Sequence, residues 1–119
     1  MPITLLIGAS TNPERYAYKA LLKLITNGHQ VIAVSPKKGA VLGVIFEELV
    51  PPGVDVDTVT LYVNPLNQKK YYEAILKLKP RRVIFNPGTE NEEFASLLKA
   101  NKIAFMEACT LVMLSLGIY

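Results

Sequence analysis

The chain has 119 residues, of which 50% are hydrophobic and 19% are charged. This length suits one domain of about 100–150 residues, and the composition excludes a disordered chain. No apolar run reaches the roughly 18–20 residues that cross a bilayer, and the apolar start Ile3–Ile7 lacks the basic residues of a signal peptide. One cysteine and one histidine exclude an intrachain disulfide and a Cys/His zinc site. We therefore expect a single-domain cytoplasmic protein, residues 1–119.

The net charge of +3 is too small to indicate nucleic acid, but its distribution is uneven. Residues 47–119 hold eight basic and nine acidic residues. Residues 1–46 hold one acidic residue, Glu14, against five basic ones, which are Arg15, Lys19, Lys23, Lys37 and Lys38. This local excess indicates an anionic ligand, and we expect no nucleic acid and no membrane as a partner.

The first third of the chain predicts two strands separated by a helix. Ile3–Ile7 is a continuous apolar run, typical of a buried parallel strand. Asn12-Pro13-Glu14 predicts the start of a helix, since Asn can cap it and Pro suits its first position. Asn27-Gly28 predicts the end of that helix, and Gln30–Val34 predicts the second strand.

The middle third predicts less regular structure before the pattern resumes. Residues 37–43 are predicted as a loop, 44–46 as a short strand, and 47–49 as a brief helical turn stopped by two prolines. A strand is predicted over Thr58–Val63. Asn64-Pro65 then predicts a helix that ends before Pro80.

The last third repeats the alternation of strand and helix. Strands are predicted over Arg82–Phe85 and Ile103–Met106. Between them, Thr89–Glu92 has the spacing of a capping box and predicts a helix start. Thr110–Leu116 is predicted as a short apolar helix that ends at Gly117.

Alternating strands and helices predict an α/β fold with right-handed crossovers. We expect a Rossmann-like three-layer α/β/α sandwich with a parallel sheet of about five to six strands. In such sheets ligands bind beyond the carboxyl ends of the strands. Polar segments follow the predicted strands there, at residues 8–15, 35–39, 64–65, 86–91 and 107–110.

The first of these segments precedes a predicted helix N-terminus, where free N–H groups favour a phosphate. It holds Gly8 but not the G-x-G-x-x-G pattern, so a tight turn without a ligand remains an alternative. Arg15 opposes the helix dipole unless an anion lies near, although it could instead pair with Glu14 or face solvent.

The second segment discriminates between nucleotides. NAD-binding folds place an acidic residue after the second strand, whereas Lys37 and Lys38 follow it here. The lysines disfavour NAD and favour a nucleotide with an extra ribose phosphate, namely NADP or coenzyme A. A solvated surface loop is the alternative.

Groups for acid–base or nucleophilic catalysis are sparse at this edge. His29 is predicted at the opposite edge, so no Ser/His or Cys/His dyad is expected. Cys109 lies near a predicted helix start, which could lower its pKa, or it packs as a small buried residue. Tyr16 and Tyr18 either cover a ligand or pad the helix.

Five segments in register resemble one family along the whole chain. They are residues 8–16, 34–39, 61–65, 84–91 and 107–110. The chain resembles small stand-alone CoA-binding proteins with the Rossmann-like CoA-binding domain, which also forms the N-terminal part of the succinyl-CoA synthetase alpha subunit. The resemblance covers only the CoA-binding domain, whereas ligase activity in the synthetase also needs a later domain with a phosphorylated histidine and a partner subunit. The resemblance therefore implies binding without ligase activity.

The resemblance also implies site residues. Gly8, Ala9 and Ser10, with the adjoining Thr11, Asn12 and Pro13, would receive the diphosphate of coenzyme A, and Arg15 would add charge beside Tyr16. Ser35 and Pro36 would lie beside the adenosine, with Lys37 and Lys38 near its 3′-phosphate. Asn64 and Pro65 would border the adenine or pantetheine. The pantetheine end would be lined by Asn86, Pro87, Gly88, Thr89 and Glu90, with Cys109 nearby.

Three hypotheses follow for the function. The favoured one is a non-catalytic module that binds coenzyme A or an acyl-CoA. The second is an NADP-linked oxidoreductase or sensor, which would use the same basic loop. The third is a protein-interaction subunit with a vestigial nucleotide site and an apolar C-terminal segment. A homo-oligomer or a protein partner is left open in each case.

Overall fold

The computed structural model describes residues 2–119. Its main sheet has five parallel strands, which are β1 (Ile3–Ile7), β2 (Gln30–Val34), β5 (Val56–Leu61), β6 (Arg82–Phe85) and β7 (Ala104–Glu107). Their spatial order is β2-β1-β5-β6-β7. Two short strands, β3 (Ala40–Val41) and β4 (Val44–Ile45), form a separate antiparallel hairpin. The predicted Rossmann-like α/β fold is confirmed.

Helices cover both faces of the sheet. They are α1 (Tyr16–Thr26), α2 (Pro65–Gln68), α3 (Tyr72–Leu78), α4 (Glu92–Ala100) and α5 (Thr110–Leu116), with a 3₁₀ turn (Lys69–Tyr71) between α2 and α3. One hydrophobic cluster joins the sheet to α1 and α5, and a second joins it to α3 and α4. The three layers predicted from the sequence are therefore present.

The three central strands, β1, β5 and β6, are buried on both faces, which explains their largely apolar sequences, whereas the edge strand β7 is mostly exposed. In β1, Leu5 and Ile7 belong to the cluster under α3 and α4, whereas Leu6 belongs to the cluster under α1 and α5. All three side chains are fully buried. Each contributes roughly 1.5–3 kcal/mol of hydrophobic free energy, so β1 anchors both cores.

The strand order reverses beside β1. The chain passes from β1 to β2 on one side, and then to β5, β6 and β7 on the other. The carboxyl ends of β1 and β5 therefore flank a topological switch point, where α/β sheets bind ligands. Gly8 follows β1 there, and Tyr62 follows β5.

The start of α1 differs from the prediction. The side-chain oxygen of Asn12 accepts a hydrogen bond from Glu14 N–H, and its carbonyl accepts one from Arg15 N–H. This local turn competes with a helix, as is usual for asparagine. The helix begins at Tyr16, with Arg15 at the N-cap position.

The segment after the hairpin was predicted incorrectly as a helical turn. Glu47 instead forms an isolated parallel bridge with Val34. Its N–H donates to Ala33 O, and its carbonyl accepts from Ser35 N–H. The backbone of Glu47 thus forms hydrogen bonds with the free edge of β2, and a helical turn at this position would lose those bonds. The predicted loop over residues 37–43 also contains β3, paired with a β4 shorter than predicted.

The helix after β6 begins later than its predicted capping box. Asn91 is the N-cap residue and accepts a hydrogen bond from Phe94 N–H, whereas the Thr89 hydroxyl donates to Asn86 O. The helix predicted after Asn64-Pro65 is interrupted by the 3₁₀ turn before Tyr72. β5 begins and ends two residues before its prediction, and β7 is displaced by one residue. Within residues 2–119, no helix is long and apolar enough to cross a membrane.

Asn91→Ala should destabilise the fold by about 2–4 kcal/mol. The change removes the cap of α4 and two bonds donated by the Asn91 amide, to Gln68 Oε1 at 2.9 Å and to Tyr72 Oη at 2.7 Å. Urea unfolding measures the loss. The matched control is Asn101→Ala at the other end of α4, an exposed side chain that donates only to Leu97 O. Similar losses in the two variants would contradict this role for Asn91.

Candidate ligand-binding groove

A groove of about 1180 Å³ runs along the carboxyl ends of the five strands. It is larger than the roughly 300–1,000 Å³ of typical small-molecule pockets. Its walls come from the segments after β2, β1, β5, β6 and β7, in that spatial order. Because neighbouring strands lie about 4.8 Å apart, the groove extends about 19 Å across the sheet. These dimensions suit an elongated ligand.

The groove brings together most of the residues predicted from the sequence. Three predicted residues, Pro13, Pro65 and Glu90, do not line it. The predicted residues that do are Gly8, Ala9, Ser10, Thr11, Asn12, Arg15, Tyr16, Ser35, Pro36, Lys37, Lys38, Asn64, Asn86, Pro87, Gly88, Thr89 and Cys109. The sequence reasoning missed Ala17, Phe46, Tyr62, Val63, Asn67, Leu111 and Val112.

Gly8 allows the first loop to lie against the segment after β5. Its φ of +99° is a conformation that L side chains rarely adopt. A Cβ at this position would lie 2.9 Å from the carbonyl carbon and oxygen of Tyr62. The N–H groups of Gly8 and Ala9 both donate to Val34 O, which fixes the loop to the end of β2. Glycine is therefore required by the close approach as well as by the turn.

The N-terminus of α1 opens onto the groove, and Glu14, just before its N-cap, lies outside the groove lining. Arg15 at the N-cap offers no side-chain acceptor, and the first turn of α1 contains no acidic residue. Arg15 is exposed, and it takes part in neither of the two ion pairs within residues 2–119, which are Glu73–Lys77 and Asp57–Arg81. The helix dipole and the guanidinium thus both favour an anion here.

The second loop adds two more cations. Ser35 is buried, and its hydroxyl accepts a hydrogen bond from Lys37 N–H at 3.1 Å, which shapes the turn after β2. Lys37 and Lys38 are exposed. A Cβ on Gly39 would lie 2.7 Å from Thr11 Cγ2, so the first two loops are in contact. The cationic groups of both loops therefore belong to one surface.

Asn86 joins the remaining walls of the groove. Its amide nitrogen donates to Thr60 Oγ1 at 2.7 Å and to Leu61 O at 2.9 Å, and its amide oxygen accepts from Thr110 N–H at 2.9 Å. The side chain is buried. The ends of β5 and β6 and the start of α5 are therefore fixed relative to one another.

Gln68 performs a similar role on the other sheet face. Its amide nitrogen donates to Val63 O at 3.0 Å and to Thr89 O at 2.7 Å. Its amide oxygen accepts from Asn91. Gln68 is 1% exposed and does not line the groove, but it ties the segment after β5 to the loop after β6.

Charge is confined to one end of the groove. Its charged lining residues are Arg15, Lys37 and Lys38, from the segments after β1 and β2. Lining residues from the segments after β6 and β7 are uncharged. Glu90 is turned toward the backbone of its own loop, where its carboxylate accepts from Gly88 N–H at 2.9 Å. The groove therefore combines a cationic end with a neutral end.

Groups for acid–base chemistry are sparse in the described groove. His29 lies just before β2, at the amino ends of the strands and so opposite the groove. Its ring packs edge-on against Tyr119, with 5.1 Å between the ring centroids. Cys109 is half-buried at the N-cap of α5 and forms no capping hydrogen bond. No group of three or more His, Cys, Asp or Glu residues within residues 2–119 is placed to hold a metal ion.

Tyr62 contributes an unusual buried hydroxyl. The hydroxyl forms no hydrogen bond within residues 2–119, although the hydroxyls of Thr60 and Thr110, which bond to each other at 2.8 Å, lie near it. Burial raises the pKa of Tyr62 well above its ordinary value near 10. Tyr62 was missed because it follows a run of strand residues and reads as the continuation of β5.

Comparison with known families gives one match along nearly the whole chain. Residues 3–115 match the family described as the CoA binding domain. A search of curated proteins finds no match.

Solved structures share the fold. The crystal structure of an uncharacterized protein is 53% identical, with a TM-score of 0.91, covering 100% of this chain and 98% of that one. A Thermus thermophilus protein is 21% identical, with a TM-score of 0.88, and the match covers 99% of this chain and 90% of that one. A dinucleotide forming acetyl-coenzyme A synthetase 1 of Ca. Korarchaeum cryptofilum, in complex with phosphate and ADP, is 16% identical, with a TM-score of 0.72, covering 91% and 25%. The last two show similarity of fold alone.

Tyr62→Phe should leave stability at pH 7 unchanged or raise it by about 1 kcal/mol, because it removes an unpaired buried hydroxyl. The raised pKa favours the protonated phenol in the folded state. The raised pKa of Tyr62 therefore stabilises the folded state at pH values below about 10, the pKa of tyrosine in the unfolded chain. This stabilisation is lost as the pH rises toward the pKa of Tyr62 in the folded state. The variant should therefore lose less stability between pH 9 and pH 11, as followed by urea unfolding.

The matched control is Tyr72→Phe. The Tyr72 hydroxyl accepts a hydrogen bond from Asn91 at 2.7 Å, so its removal should cost about 1 kcal/mol at pH 7. An equal loss in Tyr62→Phe would show that the Tyr62 hydroxyl has a bonding partner.

Proposed function

We propose that this chain, which belongs to the CoA binding domain family, binds coenzyme A or an acyl-CoA in the groove without catalysing a reaction. The observation that supports this most directly is the charge distribution of the groove. Its charged lining residues are all basic and lie at one end, beside an uncapped helix N-terminus. A ligand with phosphates at one end and a neutral arm at the other matches that distribution.

The diphosphate would bind at the first loop. Gly8 brings the backbone of that loop close to the switch point, and the first turn of α1 offers N–H groups with no side-chain cap. Ser10 is half-buried in the groove wall, and its hydroxyl accepts from Asn12 N–H at 3.0 Å. Arg15 would add a bidentate donor. These groups fit a diphosphate as hydrogen-bond donors and as cations.

The adenosine and its 3′-phosphate would bind at the second loop. Ser35 and Pro36 line the groove beside Lys37 and Lys38, and Phe46 adds an aromatic ring to the same wall. Backbone bonds from β2 and the Ser35 hydroxyl hold this loop in place. Two unpaired ammonium groups are suited to a phosphate monoester, whereas the ribose of NAD calls for an acidic residue here.

The pantetheine arm would cross the neutral end of the groove. Asn64 and the 86–89 turn face it, with Cys109 beyond them. Pro65 and Glu90 lie outside the lining, so we propose no direct contact from either residue. The carboxylates and the imidazole of residues 2–119 lie outside the groove lining, which supports binding in the absence of acid–base catalysis.

The test is a titration panel of coenzyme A, dephospho-coenzyme A, NADP and NAD against the whole chain. Isothermal calorimetry should give the tightest dissociation constant for coenzyme A, and its addition should raise the melting temperature by mass action. Binding of NADP without binding of coenzyme A would support the NADP-linked alternative and contradict this proposal. Binding of none of the four would also contradict it.

A double variant tests the phosphate assignment. Lys37→Ala with Lys38→Ala should weaken coenzyme A about 10- to 100-fold, since charged hydrogen bonds contribute about 1.5–3 kcal/mol. Binding of dephospho-coenzyme A should change less than about threefold. The matched control is Lys69→Ala with Lys70→Ala, an exposed pair outside the groove. Equal losses for the two ligands would refute a 3′-phosphate contact with Lys37 and Lys38.

A further inference from the structure

Four residues give the groove an apolar wall, which consists of Ala17, Tyr62, Leu111 and Val112. Ala17 is buried in the first turn of α1, and Leu111 is half-buried in the first turn of α5. Val112 is 52% exposed although it lines the groove. Val112 therefore presents aliphatic surface that the protein itself leaves uncovered.

The fold explains why these residues are neighbours. α1 and α5 pack side by side on one face of the sheet, where Leu21 and Leu114 belong to the same hydrophobic cluster. A hydrogen bond from Lys23 Nζ to Ser115 Oγ, 2.7 Å long, also links them. α1 follows β1 after the loop at residues 8–15, and α5 follows β7 after two residues. The first turns of both helices line the groove at the carboxyl edge of the sheet. Tyr62, at the end of β5, lies in the same cluster.

The α5 part of the wall lies away from Lys37 and Lys38, whereas Ala17 lies in the turn that follows Arg15. The first residue of α5, Thr110, bonds to Thr60 of β5 and to Asn86 after β6, so Leu111 and Val112 lie near these strand ends and not beside β2. The first turn of α5 contains no acidic residue. A charged group would lose water against the side chains of Leu111 and Val112 without gaining a hydrogen-bond partner from them, whereas an alkyl group would gain from burial.

We propose that the apolar wall binds the acyl group of an acyl-CoA thioester, so that the preferred ligand is an acyl-CoA of short to medium chain length and not free coenzyme A. This rests on the proposed function of the groove. With the phosphates held by the basic loops, the thioester end extends toward α5. The acyl chain then covers Val112, the exposed member of the wall.

The expected gain follows from the area buried. A fully buried methylene strengthens binding about fourfold, and one against an open wall about twofold. Isothermal calorimetry with coenzyme A, acetyl-, butanoyl- and hexanoyl-CoA should therefore give dissociation constants that fall with chain length. The ratio between acetyl-CoA and hexanoyl-CoA measures the contribution of the acyl group separately from that of the nucleotide.

Two variants locate the acyl group. Val112→Asp should reduce the acetyl-to-hexanoyl ratio to near one. Val112→Thr, which keeps the shape and adds a hydroxyl, should reduce it in part and guards against a folding defect. The matched control is Leu116→Asp, one turn further along α5, where the side chain is 66% exposed and outside the groove. That control should keep the wild-type ratio.

The outcomes separate the two proposals. If the wild type binds coenzyme A and every thioester with one affinity, the acyl subsite is overturned while the proposed function stands. If affinity rises with chain length but the Val112 variants keep that rise, the acyl group binds elsewhere and the subsite is again overturned. If neither coenzyme A nor any thioester binds, the proposed function itself fails.

Discussion

The groove depends on the buried amide of Asn86. This side chain is 1% exposed and joins the segment after β6 to two other parts of the chain, β5 through Thr60 and Leu61, and α5 through the N–H of Thr110. The backbone carbonyl of Asn86 also accepts from the N–H and the hydroxyl of Thr89. A substitution would leave several buried donors and acceptors without partners, each at a cost of about 1–3 kcal/mol. The carboxyl ends of β5 and β6, the 86–89 turn and α5 are thus one unit.

A second amide network holds the opposite wall. Gln68 and Asn91 connect the segment after β5, the loop after β6 and the start of α4. Beside them the rings of Tyr72 and Phe94 stack, with 4.4 Å between their centroids. A groove whose walls are bonded in this way is largely formed before a ligand enters. Little conformational entropy is then lost in ordering the loops on binding, so more of the free energy of the contacts contributes to affinity. The exposed cations on the first two loops remain free to meet the ligand.

The sequence was enough to predict the layers of the fold and the edge where the groove lies. Apolar runs such as Ile3–Ile7 and the polar segments that follow them required only the rule for parallel sheets. The predicted helix starts were less accurate, because several polar side chains near them can form either a turn or a helix cap. Asn12 forms a turn where its cap-and-proline pattern favours a helix. Asn91 caps α4 in place of Thr89, and its amide nitrogen also bonds to Gln68 and Tyr72, which lie far from it in sequence. Tyr62 and Val112 were missed because apolar residues inside strands and helices look like core until the neighbouring elements are placed.

The proposed ligand is elongated and phosphate-bearing, and it would lie along the carboxyl edge of the sheet, across all five strand ends. Amide chemical shifts of the isotope-labelled chain, followed while coenzyme A is added, test it most directly. We expect saturable shifts in the segments 8–17, 35–38, 62–64, 86–89 and 109–112, with little change at His29 and Lys79, which lie outside the groove lining. Shifts confined to residues outside these segments, or none at millimolar coenzyme A, would contradict it.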